Sequence, residues 1–278
     1  MSSEASIESS PKEPVPVAPI SLPTMARDCV KRLARDIRDI IRDPPHSHGI
    51  YYYQSETDML KGYVMVIGPS NTPYYGGFYF FDMTYPLDYP FSPPVVKYCT
   101  QGQGVRFNPN LYTDGKVCVS LLNTWKGEQW SSCMTIRQVL LQMVLLLNDK
   151  PLLNEPGVHK LHDDVEPYNN IIEFKNIEIA VIDMLTQCRD GILQPFHEFY
   201  PIMQENFLQH VNEYMDLMHK RLEEFPLPVR RTANMFKLRF DLDYGSLLEK
   251  IRDCHQDLLS LTTTKVGGCL KSPEIESA

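Results

Sequence analysis

Between Ile50 and Cys99, four strand-like runs follow one another with turns and no helix between them. That spacing constrains the fold more than any other feature of the chain. Ile50 to Gln54 is short and aromatic. Lys61 to Gly68 is rich in Val and Ile, and leads into Gly68-Pro69-Ser70-Asn71-Thr72-Pro73 and Gly76-Gly77, a strong turn signal. Phe78 to Thr84 comes next, and Val95 to Cys99 follows the loop Tyr89-Pro90-Phe91-Ser92-Pro93-Pro94. Parallel neighbours need a long crossover, usually helical, so these strands imply an antiparallel meander.

Helical periodicity flanks the strands. Thr24 can cap a helix from about Met25 to Asp43, stopped by Pro44-Pro45. Val30, Leu33, Ile37, Ile40 and Ile41 share one arc of that helix. Arg27, Lys31, Arg35, Arg38 and Arg42 share a second arc, and Asp28, Asp36, Asp39 and Asp43 a third. The pattern reads either as a solvated face with ion pairs or as a basic docking stripe. After Cys118 helices dominate: Thr135 to Asn148, Tyr168 to Cys188, Phe196 to about Leu222, and Tyr244 to Leu261. Their Met and aromatic positions read as core packing. Residues 1–24 are rich in Ser, Glu and Pro, and read as a disordered tail. The expected division is that tail, a core domain over 25–188, a helical extension over 189–265, and a second disordered tail over 266–278.

Of the 278 residues, 43% are apolar, enough for a sizeable core. The net charge of −8 argues against nucleic acid as the main partner, because phosphate binding needs a basic excess. Seven cysteines without a Cys-x-x-Cys pair fit free thiols in a reducing cytoplasmic or nuclear setting, and no metal is expected. The first residues lack the basic flank and apolar run of a signal peptide, and no apolar stretch has the length of a membrane span. No phosphate-binding Gly-x-x-x-x-Gly-Lys-Ser/Thr run occurs, so no nucleotide cofactor is expected.

The chemistry concentrates in Phe107-Asn108-Pro109-Asn110-Leu111-Tyr112-Thr113-Asp114-Gly115-Lys116-Val117-Cys118, where Cys118 lies eight residues after Asn110. A thiol is a strong nucleophile, and a thioester holds an acyl group in activated form without a cofactor. A nearby carboxamide can hydrogen-bond the oxygen that gains charge under attack, or order the loop that does so. In isolation, Val-Cys-Val-Ser-Leu-Leu reads as one side of a strand with an inert buried thiol. The breaks at Asn108-Pro109-Asn110 and Asp114-Gly115 put the cysteine just past irregular backbone instead, and Trp130-Ser131 follows before a helix. Acyl transfer at Cys118 requires a sulfur reachable from solvent with the Asn110 carboxamide beside it.

These motifs, in this order, resemble those of the ubiquitin-conjugating enzymes. That family shows a first helix ending in Pro-Pro, a Gly-Pro-x-x-Thr-Pro-Tyr-x-Gly-Gly turn and a Tyr-Pro-Phe-x-Pro-Pro loop. A His-Pro-Asn tripeptide follows, then a cysteine eight residues past its Asn, and a Trp-Ser before the next helix. Here they read Asp43-Pro44-Pro45, Gly68 to Gly77, Tyr89 to Pro94, Asn108-Pro109-Asn110, Cys118 and Trp130-Ser131. The resemblance covers residues 25–188, with three departures. Asn108 replaces the usual His, the segment between Cys118 and Trp130 is longer through Asn123 to Glu128, and a helical extension follows residue 188. Together these resemble the larger Z-type ubiquitin-conjugating enzymes, through Phe240-Asp241-Leu242-Asp243-Tyr244-Gly245-Ser246-Leu247-Leu248.

The resemblance implies an α+β fold: a helix, a four-stranded antiparallel meander, the active-site loop, then helices. It implies that Cys118 accepts ubiquitin or a ubiquitin-like modifier from an activating enzyme, which uses the ATP, and passes it to lysines of protein substrates. Asn110 would stabilise the oxyanion or order the backbone that does. Glu155, in Pro151-Leu152-Leu153-Asn154-Glu155-Pro156, would orient or desolvate the incoming amine, or else is a solvated loop glutamate. Phe91, Pro93, Ser131 and Ser132 would contact ligases. Trp130-Ser131-Ser132-Cys133 departs from the family's Trp-Ser-Pro-Ala, and Phe91 has a second reading as a core residue. Arg27, Lys31, Arg35 and Arg38 would face the activating enzyme. Asn108 in place of His would alter loop support rather than proton transfer. Two other classes compete. A non-catalytic ubiquitin- or partner-binding module of the same fold would not need Cys118, and a cysteine hydrolase using His159 or His162 lacks the flanking signatures of such enzymes.

Overall fold

Four strands form one antiparallel sheet in the order β1 (Ile50–Gln54), β2 (Lys61–Ile67), β3 (Phe78–Thr84) and β4 (Val95–Tyr98). The turn-only connections require this meander. The computed structural model describes residues 26–267; the expected first tail, the Thr24 cap, Met25 and nearly all of the expected second tail lie outside them. Register pairs Tyr63 with Asp82, Met65 with Phe80 and Ile67 with Phe78, so these side chains share one face. Val64, Val66, Tyr79 and Phe81 share the other.

Both faces are covered. On the first, Phe196 stacks on Phe80 with ring centroids 4.6 Å apart and meets Tyr63 edge-on at 5.8 Å. On the second, the Tyr79 hydroxyl donates to Asn176 Oδ1 at 2.5 Å, and its ring meets Phe107 edge-on at 5.9 Å. Phe78 to Phe81 are all fully buried. A run of four large residues without polar alternation is what a strand buried on both sides needs.

Helix α1 (Arg27–Arg42) precedes the sheet, and its apolar arc is buried at Leu33, Ile37 and Ile40. Asp36 departs from the expectation of a solvated acidic arc, because it is buried between Arg32 Nε at 3.0 Å and the Tyr89 hydroxyl at 2.6 Å. The charge is satisfied inside by a cation and a neutral donor, which is the condition for burying it. Helix α2 (Ile136–Leu146) begins at a Thr135/Gln138 capping box, each side chain taking an otherwise orphaned end donor.

The helix expected from Tyr168 to Cys188 runs as α3 (Val165–Lys175), a π-helical stretch (Asn176–Asp183) and α4 (Met184–Arg189). The wide stretch carries buried polar groups that an ordinary core helix avoids. Asn176 Nδ2 donates to Tyr75 O at 2.9 Å. Glu178 accepts Lys175 at 2.5 Å and Lys250 at 2.6 Å. Burial by itself would raise the Glu178 carboxyl; the two ammonium groups outweigh it and hold the carboxyl below its ordinary value.

The part after residue 188 is not purely helical, which corrects the sequence reading. Helix α5 (Tyr200–Glu224) is followed by a hairpin of β5 (Val229–Ala233) and β6 (Leu238–Leu242), then by α6 (Tyr244–Gly267). Leu238, Phe240 and Leu242 alternate with Arg239 and Asp241, a period of two that marks the strand. Helix α5 lies on the turn after β2. Gly76 there has φ +70, and a Cβ on it would collide with the Tyr214 hydroxyl. Glycine is therefore required for conformation and for approach.

The sheet's first face depends on Phe196. Phe196→Ala is expected to lower stability by about 3–5 kcal/mol, as for large aromatic truncations in cores. Urea unfolding of the full chain measures it, and an unchanged midpoint would mean that the extension does not hold the sheet.

Candidate active site

The loop from Phe107 to Cys118 is suspended from a fully buried Asn108. Its Nδ2 donates to the Tyr74 hydroxyl at 2.9 Å and to Leu146 O at 2.7 Å. Its Oδ1 accepts Asn110 N at 3.0 Å and Asn154 Nδ2 at 3.4 Å. A carboxamide supplies two donors and an acceptor at once, whereas a neutral imidazole supplies one of each. The Tyr74 hydroxyl in turn donates a hydrogen bond to Phe107 O at 2.7 Å, and burial pushes that phenol well above its ordinary value, so it stays a neutral donor. These contacts tie the loop to the turn after β2, to the end of α2 and to the short helical turn Pro151–Asn154.

Asn110 and Cys118 clasp each other. Cys118 N donates to Asn110 O at 2.9 Å, and Asn110 Nδ2 donates to Cys118 O at 2.7 Å. Asn110 Oδ1 is buried with no hydrogen-bond partner among the described residues. Past the cysteine, the Thr124 hydroxyl donates to Val117 O at 2.7 Å and accepts Val119 N at 2.9 Å. Before it, the loop is laced to the sheet edge: Tyr98 N donates to Gly115 O at 2.8 Å, and Lys97 bridges Lys116. Gly115 has φ +94 and faces Lys97 side-chain carbon 2.9 Å from where a Cβ would be, so any other residue is strained there.

Cys118 is only 2% exposed, against the expectation of a sulfur open to solvent. The hydrogen bonds on both sides draw its backbone inward. It nevertheless stands apart from the packed apolar cluster that its neighbours Val117 and Val119 join. Three other thiols are chemically quiet. Burial pushes Cys99 up to about 11, Cys188 to about 12 and Cys254 to about 11, so all three stay protonated near neutral pH.

Glu155 is half-buried just after the Pro151–Asn154 turn, with its backbone N on Leu152 O at 3.1 Å. No contact among the described residues joins its carboxylate to Cys118. Its charge is felt at Tyr168, whose phenol burial pushes well above its ordinary value, with a smaller push from Glu155. Asn154, which sequence reasoning passed over, is the residue of this turn that bonds into the loop through Asn108 and Leu146 O. His159 and His162 pack against each other at 6.3 Å, and His162 Nδ1 accepts Asp164 N at 3.2 Å. Neither is joined to Cys118 by a contact among the described residues.

The two loops expected to meet ligases are one surface. Trp130 Nε1 donates to Pro90 O at 2.7 Å, locking the Tyr89–Pro94 loop to the Trp130–Cys133 loop. Arg32 reaches from α1 to Ser132 O at 2.6 Å and also holds Met134 O. Phe91 is 72% exposed and so is not a core residue. Pro93 is half-buried beside it, while Ser131 and Ser132 are exposed. Arg32 is a bonding residue that the arc pattern missed, since it sits on neither the apolar nor the basic stripe.

Arg27, Lys31, Arg35, Arg38 and Arg42 are all exposed. Lys31 lies 3.5 Å from Asp28, Arg35 3.7 Å from Asp36, and Arg42 2.8 Å from Asp39. The Lys31–Asp28 and Arg42–Asp39 pairs lie in solvent and contribute little to stability, while Arg35 is an exposed cation beside the buried Asp36 carboxylate. Among the described residues, no group of His, Cys, Asp or Glu is arranged to hold a metal. No helix among them is long and apolar enough to cross a membrane.

A family model described as "Ubiquitin-conjugating enzyme" matches residues 32–181. Ubiquitin-conjugating enzyme E2 Z of Xenopus tropicalis is 36% identical over 238 residues, which is 83% of this chain and 72% of that protein. The Homo sapiens protein of the same name is 35% identical over 241 residues, 84% of this chain and 65% of its own length. A solved ubiquitin conjugating enzyme E2 domain from Toxoplasma gondii aligns at TM-score 0.44 and 27% identity, over 54% of this chain and 98% of that one. With the meander, the Asn110–Cys118 clasp and the joined loops in place, the family model and the E2 Z relatives lead to one conclusion: the chain belongs to the ubiquitin-conjugating enzyme family.

Proposed function

We propose that Cys118 carries ubiquitin or a ubiquitin-like modifier as a thioester and transfers it to lysines of protein substrates. The observation that supports this most is the reciprocal Asn110–Cys118 clasp, in a loop that the side chains of Asn108, Asn110 and Thr124 tie down together with backbone bonds. Packing an inert thiol does not need such a frame.

Charging is a sulfur exchange. Cys118 Sγ attacks the modifier's carbonyl carbon on the activating enzyme, a new S–C bond forms, and the enzyme's thiolate leaves. The exchange is nearly balanced in free energy, so access matters most. The exposed segment Asn123–Gln129 flanks the buried sulfur, and Thr124 holds it down. In the second step a neutral lysine amine attacks the same carbonyl, the oxyanion collapses, Cys118 leaves as thiolate, and the amine proton goes to a base. Asn110 Nδ2 gives one hydrogen to Cys118 O and keeps a second for the oxyanion. Glu155 is the carboxylate of the following turn and the candidate for orienting the amine.

The joined surface of Phe91, Pro93, Ser131 and Ser132 fits a ligase. An exposed aromatic on a proline-stiffened loop loses little entropy on binding. The exposed stripe Arg27, Lys31, Arg35 and Arg38 fits an acidic face of the activating enzyme. The alternative of a binding module without transfer leaves the clasp without a purpose.

Incubation with activating enzyme, ATP and ubiquitin is expected to give an adduct lost on reduction. Cys118→Ala should abolish it and Cys118→Ser should make it resistant to reductant; an adduct surviving in Cys118→Ala would end this reading. Asn110→Ala is expected to charge normally and to slow discharge to free lysine by about 100-fold, the loss of one oxyanion donor. Glu155→Ala should slow the same step, and discharge unchanged at every pH would remove Glu155 from the mechanism. Lys31→Glu with Arg35→Glu is expected to slow charging most at low salt; equal rates at all ionic strengths would take the stripe out of the activating-enzyme contact.

A further inference from the structure

One guanidinium beside the loop has no part in the steps above. Arg106 Cζ lies 3.7 Å from the centroid of the Tyr112 ring and 4.5 Å from that of Phe236. Tyr112 belongs to the loop that ends at Cys118. Phe236 belongs to the tip of the β5–β6 hairpin, in the extension. Arg106 Nη2 also donates to Pro109 O at 2.6 Å, next to Asn110. The Arg106 carbonyl accepts the Tyr168 hydroxyl at 2.8 Å.

The hairpin tip has anchors besides the guanidinium. Met235 N donates to the buried Asp164 carboxylate at 2.9 Å, and the Phe236 ring packs on Tyr168 at 5.8 Å. The tip is therefore a fixed point, and the guanidinium is the link from it to the loop.

The link is not the most stable way to fill this space. Arg106 Nε is buried with no hydrogen-bond partner among the described residues. An unpaired buried N–H is destabilising, and an apolar side chain of similar length would avoid it. A planar cation offers two things an apolar chain lacks. It presents a flat face to a ring on each side, and its edge donates in a fixed direction. Here Cζ lies over both the Tyr112 and the Phe236 ring, and Nη2 donates to Pro109 O.

We propose that the β5–β6 hairpin positions the active-site loop through Arg106. The sandwich holds Tyr112 and Pro109, and through them the Asn110–Cys118 clasp, in the arrangement needed for amine attack. Arg106 and Phe236 are positioning residues. The inference rests on the thioester reading of Cys118 for its catalytic consequence, while its structural half stands without it.

The test uses the full chain with Phe236→Ala, Phe236→Tyr and Arg106→Lys. Hydrogen exchange of residues 107–118 is measured in the uncharged protein, and single-turnover discharge to free lysine after charging. Phe236→Ala and Arg106→Lys are expected to speed exchange in that loop selectively, and to slow discharge by about tenfold, as small misplacements of reacting groups do. Charging should be unchanged. Phe236→Tyr keeps a ring in place and should restore both readouts. Arg106→Lys keeps the charge and decides the matter if Phe236→Ala does not fold. Unchanged loop exchange, exchange raised evenly across the chain, or discharge at the wild-type rate would each overturn the proposal. If the wild-type chain forms no reductant-labile adduct, the thioester reading fails, and loop exchange alone decides whether the hairpin holds the loop.

Discussion

The loop from Phe107 to Cys118, the candidate active site, depends on one buried carboxamide. Asn108 bonds to the turn after β2, to the end of α2, to Asn154 and to the backbone of Asn110. Each of these groups is polar and would be costly to bury unpaired, so the loop has one low-energy arrangement. The reciprocal bonds between Asn110 and Cys118 follow from it. A side-chain amide carries two donors where a neutral imidazole carries one, so Asn108 by itself holds both the Tyr74 hydroxyl and Leu146 O.

The same logic joins the extension to the core. A short antiparallel sheet can leave one face to water, but here Phe196 and Phe199 close that face over Phe80. Polar contacts then fix the seam. Tyr75 donates to Glu213 and lies 2.9 Å from His210 Nδ1 on α5, and Glu178 accepts Lys250 from α6. Apolar burial supplies most of the affinity between the two parts, and the directional bonds select one docking geometry.

Helix α1 shows how a single element can serve the inside and the outside. Asp36 is buried between Arg32 and Tyr89, and Arg32 donates to the Ser132 and Met134 carbonyls, which sets the surface around Phe91. The other basic residues stay exposed on a different arc. A period of 3.6 residues places positions 32 and 36 on one side, and 27, 31, 35 and 38 on another.

Much of this was legible in the sequence. The turn-only spacing from Ile50 to Cys99 specified the meander, because a hairpin connection admits only antiparallel neighbours. The basic arc of α1 and the loop residues around Asn110 and Cys118 were readable from spacing and motif. The alternation Leu238-Arg239-Phe240-Asp241-Leu242 also carried its strand, although a helical extension was expected there. Other features were decided only by the tertiary structure. Asp36 looked like its exposed neighbours until Tyr89 and Arg32 were brought to it. Cys118 looked accessible, yet the packed structure leaves it 2% exposed, with Asn110 bonded to its backbone and Thr124 to that of its two neighbours. Arg106 carried no motif, and its meaning came from two rings far apart in sequence. Local periodicity reports which face a residue occupies. Which partner waits on that face depends on contacts distant in the chain, and these exist only once the layers have packed.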